Sequence, residues 1–313
     1  MLSTVVDVVA EVTGRGGELR AGGTDVTARR ALGRSTGPWV DLGGVDGLRG
    51  IERRPDGSVR IGAMTTVAEI AADAGLCAGH PALTDTARGL ATPQIRTMAT
   101  LGGNLLQRNR CWYYRNPRFT CFQTGGDGCP ARAGQHLYSS VVDLSPCVAP
   151  HASSVAVALL TYDATADVHG RGTLPVADLY GPDADRDHVL APSDVLLAVD
   201  LPAPTEGERA AYHRAIGRAE AEWPLVEAVA RIVVDDGVIT TAAVAVGGVA
   251  RTPLRLPEVE AALLGRPATP GTLGAAADAA TARCTPLPQT GYKVALLRGT
   301  VLHVLERATA PPA

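Results

Sequence analysis

Ala91-Thr92-Pro93-Gln94-Ile95-Arg96 and Thr100-Leu101-Gly102-Gly103-Asn104 open the segment around which the chain is organised, and it continues through Cys111-Trp112-Tyr113-Tyr114 to Cys147. Four of the six cysteines, at positions 111, 121, 129 and 147, lie in this one segment, directly downstream of a double glycine. The segment therefore combines a candidate phosphate-binding turn with a candidate metal- or cluster-binding loop. The remaining residues are expected to hold these two sites.

Another double glycine lies near the N-terminus. Glu18-Leu19-Arg20-Ala21 predicts a short strand, Gly22-Gly23 a sharp turn with positive φ, and Thr24 or Asp25 the N-cap of a helix over 26–32. Backbone N–H groups at such a turn suit a phosphate. An ordinary strand-to-helix turn explains the same residues, so the motif alone does not decide.

Together the two double glycines fit a long cofactor whose diphosphate is held between them. Each is flanked by Thr and by Asp or Asn. Leu101-Gly102-Gly103-Asn104 predicts a second turn that lets the backbone approach a ligand closely, and the Asn104 amide can donate to that ligand. Neither segment matches G-x-G-x-x-G, so a Rossmann site is not indicated.

The cysteine spacing is C-x9-C-x7-C-x17-C, which disfavours a zinc ribbon or a bacterial ferredoxin loop with C-x2-C pairs. The residues between the cysteines are rich in Gly, Pro, Asn and Arg and predict a long loop that something must order. An iron–sulfur cluster, a zinc ion and unligated cysteines are the three interpretations of this spacing. His136 and His151 lie nearby and are expected not to be ligands, because four thiolates complete a tetrahedron.

Composition excludes several classes of function. The chain has 313 residues, of which 46% are hydrophobic, and a net charge of −3 with acids and bases mixed along it. The chain has no basic stripe, so nucleic acid is not expected as a partner. None of its apolar runs is long enough to span a membrane. The N-terminus lacks the basic region of a signal peptide. We therefore expect a cytoplasmic protein with reduced or metal-bound cysteines, unless a partner subunit that carries a signal exports it.

The rest of the chain predicts a mixture of short strands and helices. Strands are predicted over 39–42, 49–53, 58–63, 166–169, 195–201, 211–216, 232–234 and 238–247. Helices are predicted over 66–77, 81–91, 224–230, 256–264, 273–284 and 292–308, with a short apolar element over 154–160. Residues 182–188 predict a polar loop. The segment 202–208, rich in Pro, Glu and Gly, predicts a linker between two domains.

Three motifs resemble the flavin-binding subunit of the xanthine dehydrogenase family of molybdenum hydroxylases: Ala21-Gly22-Gly23-Thr24-Asp25, Thr92-Pro93-Gln94-Ile95-Arg96 and Thr100-Leu101-Gly102-Gly103-Asn104. Gly247-Gly248-Val249-Ala250 and the Tyr292-Lys293 helix are similar to the C-terminal domain of that family. Leu105-Leu106-Gln107-Arg108, Cys111-Trp112-Tyr113-Tyr114-Arg115 and Gly128-Cys129-Pro130-Ala131 resemble the branch with an additional [4Fe–4S] cluster. That branch includes the flavoprotein subunits of bacterial aldehyde oxidoreductases and of 4-hydroxybenzoyl-CoA reductase.

The resemblance implies an α+β fold with two domains. Residues 1–202 would form a two-part FAD-binding domain of the vanillyl-alcohol-oxidase (PCMH) type, with subdomains of about 1–50 and 51–202 and a cluster-binding insert at 105–150. Residues 209–313 would form a smaller α+β C-terminal domain.

The resemblance also implies two cofactors, FAD and a [4Fe–4S] cluster. The residues expected at FAD are Ala21, Gly22, Gly23, Thr24, Asp25, Val26, Thr92, Thr100, Gly102, Gly103, Asn104 and Arg214. The cluster ligands would be Cys111, Cys121, Cys129 and Cys147. No side chain of this chain is expected to act as a catalytic acid or base.

The implied function is electron transfer between partners. A molybdopterin-containing large subunit would oxidise the substrate, typically an aldehyde or an N-heteroaromatic compound. A [2Fe–2S] small subunit would carry the electrons to FAD, and an external electron acceptor would take them up.

Two positions depart from the family pattern. Ser153-Ser154 stands where Ser-Asp is usual, and Arg214 and Ile216 stand where Lys and Arg are usual near the flavin edge. These departures keep open a stand-alone FAD-dependent oxidase or dehydrogenase. The third hypothesis is a structural subunit in which the four cysteines bind zinc.

Overall fold

The computed structural model of the protein describes residues 2–310 and builds them into three sheets with helices between and around them. The helices are α1 (Val5–Arg15), α2 (Val26–Ala31), α3 (Val67–Ala72), α4 (Ala74–Gly79), α5 (Pro81–Gly89), α6 (Pro93–Met98), α7 (Leu101–Leu105), α8 (Trp112–Arg115), α9 (Pro130–Ala133), α10 (Ser154–Thr161), α11 (Pro257–Leu263), α12 (Pro270–Ala279) and α13 (Tyr292–Thr309). The strands are β1 (Glu18–Arg20), β2 (Trp39–Asp41), β3 (Ile51–Arg53), β4 (Val59–Gly62), β5 (Thr165–His169), β6 (Gly172–Pro175), β7 (Val195–Leu201), β8 (Arg209–Ala215), β9 (Val226–Asp235), β10 (Val238–Gly247) and β11 (Leu254–Arg255).

Each sheet has its own topology. Strands β1 and β2 form a small parallel pair. The five-stranded sheet has the order β3-β4-β7-β5-β6, and the four-stranded sheet has the order β11-β10-β9-β8, both with antiparallel neighbours. The predicted α+β class is therefore confirmed.

Helix α10 is the central packing element. Its residues from Ser154 to Thr161 are all buried, and its apolar side chains join one core with α3, α5 and the five-stranded sheet. Tyr212, Val229 and Ala245 of the four-stranded sheet belong to the same core. Burying each large apolar side chain contributes roughly 1.5–3 kcal/mol, so α10 joins the two sheets by a substantial free energy.

The opposite face of the four-stranded sheet carries a second core. Helices α11, α12 and α13 cover it, and Val141 and Val142 of the cysteine-rich segment also pack there. The side chains of Leu297, Val301 and Leu305 on α13 are buried in this core. Within residues 2–310, no helix combines the length and the apolar character needed to cross a membrane.

Several predicted elements were wrong. Residues 224–230 do not begin a helix, because β9 starts at Val226 and is a central strand buried on both faces up to Ala230. A strand of this kind has no alternation of polar and apolar residues and resembles a buried helix in sequence. The predicted helix 273–284 ends at Ala279, so Cys284 lies outside it. The helix predicted from Thr66 to Cys77 is divided at Asp73, whose side chain caps α4.

Helix α1 was not predicted from the sequence. Thr4 caps it, with the Thr4 hydroxyl accepting from the Asp7 N–H and the Asp7 carboxylate accepting from the Thr4 N–H. This reciprocal pair is a capping box with Asp in place of the usual Glu or Gln. Val8 and Val12 then pack the helix against β2.

The cysteine-rich segment is fixed by hydrogen bonds from two regions that are distant in sequence and lie on either side of it. Arg34 donates to the carbonyl oxygens of Asn116 and Phe119, at 2.6 and 2.9 Å. At its other end the buried Lys293 ammonium donates to the carbonyl oxygens of Tyr138 and Gly248, at 3.3 and 2.8 Å. The segment is thus fixed to the region before β2 and to the start of α13.

Candidate functional site

The first double glycine forms a sharp loop between β1 and α2. Gly23 has a φ of +75°, which a side chain would strain, and a Cβ at Gly22 would lie 1.7 Å from the Met98 carbonyl oxygen. Within residues 2–310, the backbone N–H groups of Gly23, Thr24 and Asp25 donate to no backbone acceptor. Consecutive free N–H groups of this kind suit an anion.

The second double glycine is not the turn that the sequence predicted. Gly102 and Gly103 lie in the first turn of α7, for which Thr100 is the N-cap. Their N–H groups are already used: Gly102 donates to the Ala63 carbonyl at 2.8 Å, and Gly103 donates to the Thr100 hydroxyl at 3.1 Å. Gly103 therefore provides an exposed surface without a side chain rather than donors.

Two clefts meet at these loops. The larger cleft, of about 480 Å³, lies between β1, α7 and the 185–196 segment. The smaller cleft, of about 270 Å³, lies between α6, α7 and the β8–β9 loop. Thr24, Asp25, Gly103 and Gln107 line both, so the two clefts adjoin. Their volumes are typical of sites for small molecules.

All residues expected at FAD line these clefts. Ala21, Gly22, Gly23, Thr24, Asp25, Val26, Thr100, Gly102 and Gly103 line the larger cleft. Thr24, Asp25, Thr92, Gly103, Asn104 and Arg214 line the smaller one, together with Ser154. Ile216, the other departure from the family pattern, is not part of either lining.

Asp25 does not cap α2 with its side chain but joins three arginines at the junction of the clefts. Its carboxylate lies 3.0 Å from Arg29 Nε, 2.8 Å from Arg110 and 2.7 Å from Arg115, and it accepts from the Arg108 N–H at 3.1 Å. Burial alone would raise the pKa of Asp25, but the charges of Arg110 and Arg115 outweigh burial and lower it. Asp25 is therefore ionised and ties the start of the cysteine-rich segment to the glycine loop.

Arg110 was missed in the sequence and is central to the smaller cleft. Its guanidinium carbon lies 4.3 Å from the centroid of the Trp223 ring, and it donates to Gln107 Oε1 at 2.7 Å. Burial lowers the pKa of Arg110 to about 10, so the group stays protonated at neutral pH. Its position directly before Cys111 is the only sequence signal that could have identified it.

Asp187 is the second residue that the sequence did not single out, since it falls in the predicted polar loop 182–188. Its buried carboxylate accepts from the Asn109 N–H at 3.2 Å, from Gln123 Nε2 at 2.9 Å and from Arg251. Burial would raise the pKa of Asp187, but Arg251 and Arg108 hold it well below its usual value. Asp187 therefore joins the edge of the larger cleft to residues next to Cys111 and Cys121.

The four cysteines of the segment are free thiols. Cys147 lies beside Cys129 and lowers the pKa of the Cys129 thiol, and Cys111 lies near both Cys121 and Cys129. Arg251 faces Cys147 and Cys111. Within the described residues no three His, Cys, Asp or Glu side chains converge at metal-binding distance. The structure thus brings the cysteines into one region without a preformed set of ligands.

The nearby histidines are not part of this thiol group. His136 uses both ring nitrogens, Nδ1 with the Ala131 carbonyl at 3.0 Å and Nε2 with the Gln289 N–H at 3.2 Å. His151 is buried against Tyr180, with ring centroids 4.3 Å apart, and burial lowers its pKa to about 3. Burial likewise lowers the pKa of His188, beside Asp187, to about 4.

Comparison with known proteins agrees with this architecture. Residues 2–204 match the family described as FAD binding domain in molybdopterin dehydrogenase, and residues 210–308 match the CO dehydrogenase flavoprotein C-terminal domain. The chain is 33% identical over 306 residues to the aldehyde oxidoreductase FAD-binding subunit PaoB of Escherichia coli K12, covering 94% of this chain and 92% of that protein. It is 25% identical over 275 residues to the carbon monoxide dehydrogenase medium chain of Hydrogenophaga pseudoflava, covering 87% and 81% of the two chains.

Solved structures show the same fold. The carbon monoxide dehydrogenase of Hydrogenophaga pseudoflava that lacks the Mo-pyranopterin moiety superimposes with a TM-score of 0.78 at 23% identity, over 98% of this chain and 95% of that one. Quinoline 2-oxidoreductase from Pseudomonas putida 86 gives a TM-score of 0.75 at 19% identity, over 98% and 96%. The chain therefore belongs to the family of FAD-binding oxidoreductase subunits of the molybdenum hydroxylases, with an FAD-binding domain followed by a CO dehydrogenase flavoprotein C-terminal domain.

Proposed function

We propose that this chain is the electron-transfer subunit of a molybdenum hydroxylase and carries FAD across its two adjoining clefts. The observation that carries the proposal is that every residue expected at FAD lines one or both of these clefts. We take the FAD-binding domain to be residues 1–202 and the C-terminal domain 209–313, and we expect the complex in the cytoplasm. Oxidised FAD takes up two electrons and releases them singly or together, which suits a carrier between one-electron centres and an external acceptor.

The residues fit the parts of FAD. The free N–H groups of Gly23, Thr24 and Asp25 would bind the diphosphate at the junction of the clefts. The smaller cleft contains the Trp223 ring and apolar side chains from α6 and the segment before it, and it would take the isoalloxazine ring. The larger cleft would then hold the adenosine half. A cofactor in this position would bridge the two sheets that α10 joins.

We further propose that Cys111, Cys121, Cys129 and Cys147 ligate a [4Fe–4S] cluster. Four unpaired thiols on one ordered segment supply the required number and type of ligands, and Cys129 and Cys147 already lie beside each other. The neighbouring Arg251 guanidinium would offset part of the negative charge of four thiolates.

The proposed partners follow from the relatives. PaoB is named as a subunit of an aldehyde oxidoreductase, and the Hydrogenophaga protein as the medium chain of a carbon monoxide dehydrogenase. We infer that a molybdopterin-containing large subunit and a [2Fe–2S] small subunit assemble with this chain. An aldehyde or a comparable small molecule is the substrate class of the complex.

The test is the visible spectrum of protein purified without oxygen, before and after reduction with dithionite, together with iron and sulfide assays. Flavin bands over a broad bleachable shoulder, with iron and sulfide in the ratio of a [4Fe–4S] cluster, are expected. Flavin without iron would overturn the cluster assignment, and zinc in its place would favour a structural zinc site held by the four cysteines. Substrate turnover by the isolated chain would favour a stand-alone FAD enzyme, and protein that binds no added FAD would overturn the proposal.

A further inference from the structure

A buried carboxyl group lies behind the wall of the smaller cleft. Glu227, on β9, is 1% exposed and stands in register with Arg214 on β8 and with Gly247 on β10. A Cβ at position 247 would lie 2.5 Å from Glu227 Oε1, so the glycine provides the space that the carboxyl group fills. Burying a carboxyl group this deeply costs folding free energy unless the group is well hydrogen-bonded.

Two hydroxyl groups lie beside Glu227. Tyr212 donates to Glu227 Oε2 at 2.9 Å, and the Ser154 hydroxyl lies next to both Glu227 and Tyr212. Burial raises the pKa of the Glu227 carboxyl group, and the hydroxyls and the charge of Arg214 only partly oppose this effect. The same burial raises the pKa of Tyr212 well above its usual value, so Tyr212 keeps its proton.

Only one member of this group reaches the cleft. Ser154 lines the smaller cleft, whereas Glu227 and Tyr212 lie behind it. Ser154 is also the position at which the chain has serine where the family usually has aspartate. A carboxylic acid is therefore still present beside this wall, but it comes from β9 and lies behind the Ser154 hydroxyl.

We propose that Glu227 and Ser154, with Tyr212 holding them in place, form a proton relay that opens on the smaller cleft and serves the redox cofactor bound there. This inference rests on the proposed function. When the bound cofactor takes up two electrons from the partner, Ser154 Oγ would give a proton towards the cleft and take one from the Glu227 carboxyl group. When the electrons leave to the acceptor, the proton would return by the same route, so that protons and electrons balance over the cycle.

The groups around Glu227 suit a proton that leaves and returns. Arg214, the cross-strand neighbour, stabilises the carboxylate while the proton is away. On the α10 side the neighbouring group is Ser154, and on the α5 side Gly89 borders the Tyr212 ring. The side chains of α13 pack with Ala228, Ala230 and Ile232 on the opposite face of the sheet. Arg214 is thus the charged group that faces Glu227, and Tyr212 is the other titratable one.

The experiment is infrared difference spectroscopy of the FAD-loaded protein, reduced minus oxidised, on the wild type and on Glu227→Gln. The amide keeps the shape and accepts from Tyr212 but has no proton to give. In the wild type we expect loss of the carbonyl stretch of a protonated carboxylic acid on reduction, and in Glu227→Gln we expect no such loss. Glu220→Gln, an exposed change of the same charge on the β8–β9 loop, is the matched control and should retain the signal.

The outcomes separate this inference from the proposed function. Protein that binds and reduces FAD but shows no carboxylic acid signal, or shows a band that merely shifts, overturns the relay and leaves the function standing. Protein that binds no FAD overturns both. If Glu227→Gln does not fold, Ser154→Ala decides the question, because it keeps the buried acid and removes its exit. The relay predicts that in Ser154→Ala the carbonyl band of the carboxylic acid is retained on reduction. A band that is still lost on reduction contradicts the relay.

Discussion

Arg110 lies over the ring of Trp223, with 4.3 Å between the guanidinium carbon and the ring centroid, and both residues line the smaller cleft. Arg110 directly precedes the first cysteine of the cysteine-rich segment, whereas Trp223 belongs to the loop between β8 and β9. The pair therefore connects the proposed cluster region with the proposed flavin site. The contact of Arg110 with Asp25 extends this connection to the glycine loop.

Removing the ring should weaken FAD binding. Trp223 lines the proposed flavin site, and loss of about 1 kcal/mol of aromatic stacking on the flavin corresponds to roughly a five-fold increase in Kd for Trp223→Ala. Trp223→Phe keeps an aromatic face and should lose less. Titration of flavin-free protein with FAD, followed by tryptophan fluorescence, measures both the affinity and the share of quenching that Trp223 carries. If Trp223→Ala and Trp223→Phe both bind FAD as tightly as the wild type, the ring does not border the cofactor.

Filling the junction of the clefts should exclude the cofactor. Gly103 is exposed in both clefts, and a side chain there would start 3.0 Å from the Thr100 hydroxyl and extend into the shared space. We expect Gly103→Leu to fold but to bind FAD at least ten-fold more weakly, a change of about 1.4 kcal/mol or more. Gly299→Ala, at an open position on α13, is the control and should retain full flavin content. Flavin content per folded chain decides the outcome.

Single Cys→Ser changes should separate the two groups of cysteines. Cys121→Ser or Cys129→Ser should remove the iron and raise the rate of proteolytic cleavage between residues 111 and 147, because the cluster would fix this loop. Cys77→Ser and Cys284→Ser lie outside the segment and should leave the iron content unchanged. Iron assay and limited proteolysis test this directly, and iron retained in all four variants contradicts the assignment.

Stability should fall on mild acidification because of two buried histidines. The pKa values of His151 and His188 are about 3 and about 4, below the unfolded value of about 6.5, so the unfolded chain binds protons that the folded chain does not. The free energy of unfolding is therefore highest above pH ~6.5 and decreases by ~1.4 kcal/mol per pH unit for each histidine below it. His151→Phe keeps the ring against Tyr180 and should remove about half of this slope in denaturation measured from pH 7 down to pH 4.

Neutralising Asp187 should destabilise the region between the larger cleft and the cysteines. Asp187→Asn leaves the buried Arg251 without its carboxylate, and breaking a buried pair in this way costs about 3–5 kcal/mol. Asp183→Asn, an exposed aspartate on the same loop, should cost little. Chemical denaturation measures both. A small effect of Asp187→Asn would show that water replaces the carboxylate.

Features that depend on local chemistry could be predicted from the sequence alone. The need for glycine at Gly22 and Gly23 and the start of a helix at Thr66 could be predicted, because backbone conformation and capping depend on a few adjacent residues. The motifs around Gly23 and Thr100 also located the clefts, since every residue expected at FAD lines them.

The contacts between distant residues depend on the tertiary structure and not on any local pattern. Asp187 accepts from the Asn109 N–H across 78 positions, and Glu227 accepts from Tyr212 because β8 and β9 are neighbouring strands. Gly102-Gly103 has the composition of a turn, but the hydrogen bonds of its neighbourhood to Ala63 and Thr65 place it in a helix. In each case the stabilising free energy comes from packing and hydrogen bonds between segments far apart in the chain, and a local pattern does not contain these contacts.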